Sequence, residues 1–234
     1  MGPDAPTEVV DASLAIWGAA GEPSGTENEA AEGAPSGELR GGAWWEEEGA
    51  GSRLSHVFYT SGSTGRPKGC LVEHASLAQY CLAKNKVHRI GPRSRVMVAS
   101  ALTFDPSLGD IFATLGAGGL VCLAPRARVL AGLGGCLGGL RATHITLTPS
   151  LWRTVDASPE ELPDLQVVAL GGEAMPRAVA EAWGGLGPRL RLLNTYGVTE
   201  ATVYQTAHDV EFPGDCHVAG RPLPGVEVRS CMRS

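Results

Sequence analysis

Residues 59–69 read Tyr59-Thr60-Ser61-Gly62-Ser63-Thr64-Gly65-Arg66-Pro67-Lys68-Gly69, directly after the apolar pair Val57-Phe58. A strand that runs into a loop of small residues can turn successive backbone N–H groups toward one centre, and the hydroxyls of Thr60, Ser61, Ser63 and Thr64 add donors around it. Lys68 supplies a mobile positive charge for the same centre. The composition of the loop is that of a phosphate cradle. It is not a Walker A loop, because Pro67 precedes Lys68 and Gly69 follows it where G-x-x-x-x-G-K-[ST] is needed. It also lacks the G-x-S-x-G order of a serine-hydrolase elbow.

Outward from this loop, short apolar runs alternate with amphipathic stretches. The pattern predicts strands at 57–60, 96–99, 120–123, 144–147, 165–170 and 190–194, and helices at 75–86, 108–115, 129–140 and 176–186. In the first helix Leu77, Tyr80, Cys81 and Ala83 face inward; the third is weakened by glycine, and the last opens on Pro176. A β-rich tail follows at 203–228. Strands and helices in alternation predict an α/β fold with a mostly parallel sheet flanked by helices.

The 234 residues include 32 Gly and 16 Pro with no Gly-X-Y period, which excludes collagen. The net charge of -6 is unevenly spread: residues 1–52 hold eleven acidic side chains and one basic, whereas 53–234 hold fourteen acidic and eighteen basic. The first stretch is an acidic Gly/Ala/Glu-rich leader with too little apolar side chain to offset the entropy of ordering, and disorder is expected there apart from Trp44-Trp45. The remainder is long enough for one domain. Its basic residues form no stripe, so nucleic acid is not an expected partner. No targeting segment opens the chain, and the apolar run at 111–124 is short and interrupted by glycine, so no membrane span is expected and a cytoplasmic protein is. The six Cys show no C-x-x-C pair, which argues against zinc.

Three further segments follow the loop in order: Phe104-Asp105-Pro106-Ser107, Gly171-Gly172-Glu173-Ala174 and Asn194-Thr195-Tyr196-Gly197-Val198-Thr199-Glu200, with Gly220-Arg221-Pro222-Leu223-Pro224-Gly225 after them. Together with residues 59–69 they resemble, over 53 to about 229, the amino-acid adenylation domains of nonribosomal peptide synthetases, within the adenylate-forming AMP-binding superfamily. The resemblance implies part of the N-terminal subdomain of that fold. It implies ATP-dependent activation of an amino-acid carboxylate as an acyl-adenylate, release of pyrophosphate, and transfer to the thiol of a phosphopantetheine carrier.

By the same resemblance, Thr60, Ser61, Gly62, Ser63, Thr64, Gly65 and Lys68 surround the phosphates, and Gly172, Glu173, Ala174, Asn194, Tyr196 and Gly197 serve the nucleoside. Tyr196 offers a flat face to adenine, and Asn194 a reach to the base edge. Thr199 is assigned to the α-phosphate and Glu200 to Mg²⁺, whose preference for hard oxygen suits a carboxylate. Lys68 and Thr199 are the candidate catalytic residues. Asp105 would pair with the α-ammonium of an amino acid; outside the resemblance, an aspartate before Pro106 is a turn or helix cap. The side-chain pocket would be lined by Pro106, Gly109, Thr146, Ala169, Gly171, Thr195, Val203 and Tyr204, mostly small residues that imply a roomy space. His144, His56 and His74 are read as satisfied, half-buried histidines.

Val198 departs from the family pattern, which has proline there; this relaxes the turn without removing a ligand. A T-G-D segment for the ribose and a C-terminal subdomain with its lysine are implied too, and neither occurs in residues 1–234. A longer domain is therefore expected, this stretch alone binding ATP weakly without sustaining adenylation. Two other readings remain open: a carboxylate–CoA ligase of the same superfamily, for which Asp105 would be dispensable, and a non-catalytic nucleotide-binding protein that uses the leader and Trp44-Trp45.

Overall fold

The computed structural model describes residues 9–10, 52–61 and 66–229. Gly62, Ser63, Thr64 and Gly65 lie outside the described residues, as does the acidic leader, Trp44-Trp45 included, apart from β1 (Val9–Val10) and Ser52. The phosphate-type loop joins two antiparallel strands, β2 (Leu54–Thr60) and β3 (Lys68–Glu73), with Phe58 opposite Cys70 and Thr60 opposite Lys68. Phe58, Cys70 and Val72 form the buried side of this hairpin. Sequence reasoning continued the loop through Gly69. The alternating Lys-Gly-Cys-Leu-Val-Glu run makes it a return strand instead.

The chain continues through α1 (His74–His88), β4 (Arg95–Val98), α2 (Asp105–Gly116), β5 (Leu120–Cys122), α3 (Arg126–Ala131), α4 (Leu133–Gly139), β6 (His144–Leu147), α5 (Pro149–Trp152), β7 (Val167–Gly171), α6 (Arg177–Trp183), β8 (Arg191–Tyr196), β9 (Thr206–Asp209) and β10 (Arg221–Pro222). The main sheet has the order β1-β5-β4-β6-β7-β8-β9-β10. The neighbours from β5 to β8 are parallel, and the antiparallel pairings lie at the two ends. The expected helix at 129–140 is two helices, broken at Gly132. Each glycine costs a helix interior about 1 kcal/mol relative to alanine, and five of the eight residues from 132 to 139 are glycine. The tail carries two short strands separated by a 3₁₀ turn at Pro213–His217.

Alternation along the strands separates two faces. Met97, Ile145, Val168, Leu170 and Leu192 point to the larger core, which α3, α4, α5 and α6 cover with Leu133, Leu137, Trp152 and Trp183 among others. Trp152 meets Trp183 edge to face at 4.7 Å. Val167, Ala169 and Leu193 point the other way, toward Val87 on α1. Helices α1 and α2 pack together on that side, where the Asn85 amide donates to the Ala113 carbonyl at 2.9 Å. Among the described residues no helix is long and apolar enough to cross a membrane.

Candidate functional site

Of the residues selected from the sequence, Thr146, Ala169, Gly171, Thr195 and Tyr196 lie toward the ends of β6, β7 and β8, the edge at which open parallel sheets place their ligands. Register sets the first four on one face: Thr146 stands beside Ala169, and Gly171 beside Thr195. The Thr195 hydroxyl donates to the Leu170 carbonyl at 3.1 Å. A Cβ on Gly171 would approach Thr195 Oγ1 to 2.2 Å, so the two strand ends close only over glycine. Beyond this pair, Gly172, Glu173 and Ala174 leave the sheet beside Tyr196, whose ring is 61% exposed. A depression of about 310 Å³ lined by Arg93, Arg95 and Gly119 lies at the opposite end of β4 and β5 and contains none of the selected residues.

Two of the nucleoside candidates have structural partners. Glu173 accepts the Ser150 N–H at 3.1 Å and the Ser150 hydroxyl, and so holds the start of α5. The Asn194 amide donates to the Cys216 and Val218 carbonyls at 3.1 and 2.9 Å, tying β8 to the tail. Asn194 stands on the same side of β8 as Leu192, opposite to Thr195.

Five residues from four segments converge. The Thr60 hydroxyl, at the end of β2, donates to Glu200 Oε1 at 3.2 Å. Lys68 starts the opposing strand across from Thr60 and is exposed. Thr199 and Glu200 lie in a 3₁₀ turn, Thr199–Ala201, after β8. Asp105 opens α2 and is 8% exposed, with Thr199, Glu200 and Val203 around its carboxylate. Its Oδ2 is buried without a partner. Burial pushes the Asp105 pKa above the usual range; the nearby Thr199 side chain and the Val203 and Asp105 backbone amides oppose the rise, and Glu200 adds to it. Among the described residues no group of three or more His, Cys, Asp or Glu could hold a metal. Glu200 alone fits Mg²⁺, which commonly takes one or two carboxylates with phosphate oxygens.

The pocket is not the roomy space its small residues imply. A Cβ on Gly109 would meet Tyr80 Cε1 at 2.6 Å, so that tyrosine lies over the glycine. Tyr80 packs edge to face on Tyr204 at 5.3 Å. Val203 and Tyr204 are buried, as are Thr146, Ala169 and Thr195, while Pro106 is half-buried.

Beneath them lies a polar cluster that the sequence reading missed. Lys84 and Asp110 form an ion pair with neither side chain exposed, and Lys84 Nζ also donates to Thr146 Oγ1 at 3.4 Å. Burial raises the Asp110 pKa, and Lys84 lowers it. Tyr204 shares a hydrogen bond with His88 Nε2 at 2.7 Å. His144 lies 3.0 Å from the His88 carbonyl through Nε2 and 2.7 Å from the Thr143 hydroxyl through Nδ1. It is satisfied, as expected, but fully buried, and burial lowers its pKa to about 4. The spacing Leu77, Tyr80, Lys84, His88 would have placed Lys84 and His88 on the inner face of α1.

The family described as AMP-binding enzyme matches residues 8–230, which takes in the acidic stretch as well as the motif-bearing region. The chain is 38% identical over 174 residues to the nonribosomal peptide synthetase sidE of Aspergillus fumigatus, covering 74% of this chain and 8% of that protein. It is 35% identical over 194 residues to the hybrid PKS-NRPS synthetase TAS1 of Pyricularia oryzae, covering 80% of this chain and 11% of that protein. The crystal structure of the Vibrio cholerae adenylation domain AlmE in complex with glycyl-adenosine-5'-phosphate superposes with a TM-score of 0.62 at 27% identity, covering 73% of this chain and 32% of that one.

Proposed function

The chain belongs to the AMP-binding enzyme family, and from that membership we propose that its site activates an amino-acid carboxylate with ATP, giving an acyl-adenylate and pyrophosphate, for transfer to the thiol of a phosphopantetheine carrier. Asp105 carries this reading. It is a buried carboxylate with one oxygen unpartnered, in a position where an arriving α-ammonium would complete a charge-assisted pair. A fatty or aromatic acid brings no cation, and covering Asp105 with one would leave its charge uncompensated. The likeness to peptide synthetases and to an adenylation domain holding a glycyl-adenylate supports the same choice.

In the reaction the substrate carboxylate attacks the α-phosphorus and pyrophosphate leaves. Catalysis then rests on holding both reactants in line and on donors aimed at the phosphoryl oxygens. Thr199 is assigned to the α-phosphate; beside Asp105, it stands between the amino-acid end of the site and the phosphate end. Lys68 and the loop that follows Thr60 are assigned to the remaining phosphates. Mg²⁺ held by Glu200 and nucleotide oxygens would neutralise part of the triphosphate charge. Tyr196 and the Gly172–Ala174 turn would flank the base.

Calorimetric titration of the chain with MgATP, alone and with each of a set of amino acids and their deaminated analogues, tests this reading. We expect one class of amino acid to enhance nucleotide binding and its analogue not to. Asp105→Asn should weaken the amino-acid interaction by about 10- to 100-fold, the loss of a hydrogen bond to a charged group. Nucleotide binding that is indifferent to every amino acid, or that responds equally to the deaminated acids, would overturn it.

A further inference from the structure

Val198, which takes the place of the family's proline, has φ -133° and ψ 145°. Proline is confined near -65°, so this backbone is one that proline could not adopt. The N–H that proline would lack is used: it donates to Gln205 Oε1 at 2.9 Å. Gln205 Nε2 in turn donates to the Ala201 carbonyl at 2.9 Å, with the Thr202 and Val198 carbonyls at 3.3 and 3.4 Å. Gln205 is itself anchored on both sides, its N–H donating to the Tyr196 carbonyl at 2.9 Å and its carbonyl accepting the Leu223 N–H at 2.8 Å. One side chain therefore spans the turn from entry to exit, and the residues it encloses are Thr199 and Glu200.

The exit of the turn needs such a restraint. Thr202 and Val203 have φ of 69° and 65°, a left-handed conformation that β-branched residues rarely adopt and that persists only where surrounding contacts impose it. Val203, in that conformation, lies beside Asp105. Gly197, at the entry, has no room for a Cβ: one built there would lie 2.2 Å from Tyr204 Cα and 2.7 Å from Gln205 Oε1.

We propose that Gln205 is the positioning residue of the Thr199–Glu200 turn, holding through its side-chain amide a conformation incompatible with proline at 198 and thereby orienting the Thr199 hydroxyl and the Glu200 carboxylate toward a magnesium-bound triphosphate. The orienting role rests on the reading of these two residues given under Proposed function; the restraint on the turn does not. Gln205 touches neither reactant and acts through the turn.

The test uses the whole chain with Gln205→Met, which keeps the length of the side chain and removes its polar atoms, Val198→Pro, and the double variant. Amide hydrogen exchange at 198–203 is measured without ligand, and MgATP affinity by titration. Gln205→Met should speed exchange in the turn and weaken MgATP binding by about tenfold each, the effect of losing one to two net hydrogen bonds, with little change in the urea midpoint. Val198→Pro should do the same, since it removes the donor and forces φ. In the Gln205→Met background it should add little, because the bond it breaks is already gone and the turn is no longer held in the conformation that excludes proline. Additive effects, or a Gln205→Met chain whose turn exchange and MgATP affinity are unchanged, would overturn the proposal. If circular dichroism shows that Gln205→Met fails to fold, Gln205→Glu replaces it, with loss of protection expected at 201–202. An unmodified chain that does not bind MgATP would sink the nucleotide reading, and the ligand-free exchange cycle then still decides whether Gln205 holds the turn.

Discussion

Lys84 and Asp110 meet where neither side chain reaches water, so each neutralises a charge that the interior would otherwise resist. Lys84→Met strands the Asp110 carboxylate, and we expect it to lower stability by about 3–5 kcal/mol. Lys84→Met with Asp110→Leu removes both charges and should recover most of that loss; urea unfolding of the three chains measures both. A single variant as stable as the parent would contradict the burial of the pair. At this scale legibility depended on locality. Asp105, Thr199 and Glu200 were readable because each sits in a short run of characteristic neighbours. Lys84 was readable only from helical spacing, and Asp110, in Gly109-Asp110-Ile111, carries no local mark of its partner. Gln205 likewise has no signature, since its role comes from a turn whose shape the sequence does not spell out.

At the scale of elements, the close pairing of β7 and β8 depends on an absent side chain. Gly171→Ala would drive a Cβ against Thr195 Oγ1 and within 2.7 Å of the Thr195 carbonyl. Overpacking of this kind costs about 1–3 kcal/mol, and we expect thermal melting to register it. Because Gly171 ends the last paired position before the Gly172–Ala174 turn, the substitution should also alter exchange at Tyr196 and Gly197; unchanged melting would mean that the strand ends have room to part. The alternation of strands and helices was visible from periodicity, since β4, β5 and β7 each hold an uninterrupted apolar run. The return strand β3 was not, because Lys68 and Gly69 belong at once to the loop's chemistry and to the ladder. The break at Gly132 was legible only as weakness, for propensity gives a cost and not the place where a helix stops.

For the molecule as a whole, the buried histidines set how stability responds to acid. His144 and His88 both have pKa values lowered chiefly by burial, His144 to about 4. The unfolded chain protonates them below about 6.5 while the native chain resists, so their contribution is complete above that pH and is lost as pH falls toward 4. His144 alone accounts for about 3 kcal/mol over that interval. Asp105 and Asp110, whose pKa values are raised, act in the opposite sense at the acid end. Urea midpoints between pH 7.5 and 5 should therefore fall with pH, and His144→Asn should flatten the slope; an equally steep profile in that variant would rule His144 out as its source.

The bond between Thr60 and Glu200 joins positions 140 residues apart. Contacts of such high contact order form late, after the loops they close have been shortened by other structure. The two halves of the phosphate end consequently meet only when the hairpin and the completed main sheet are both in place. A nascent or refolding chain would then acquire its hydrophobic interior before this contact.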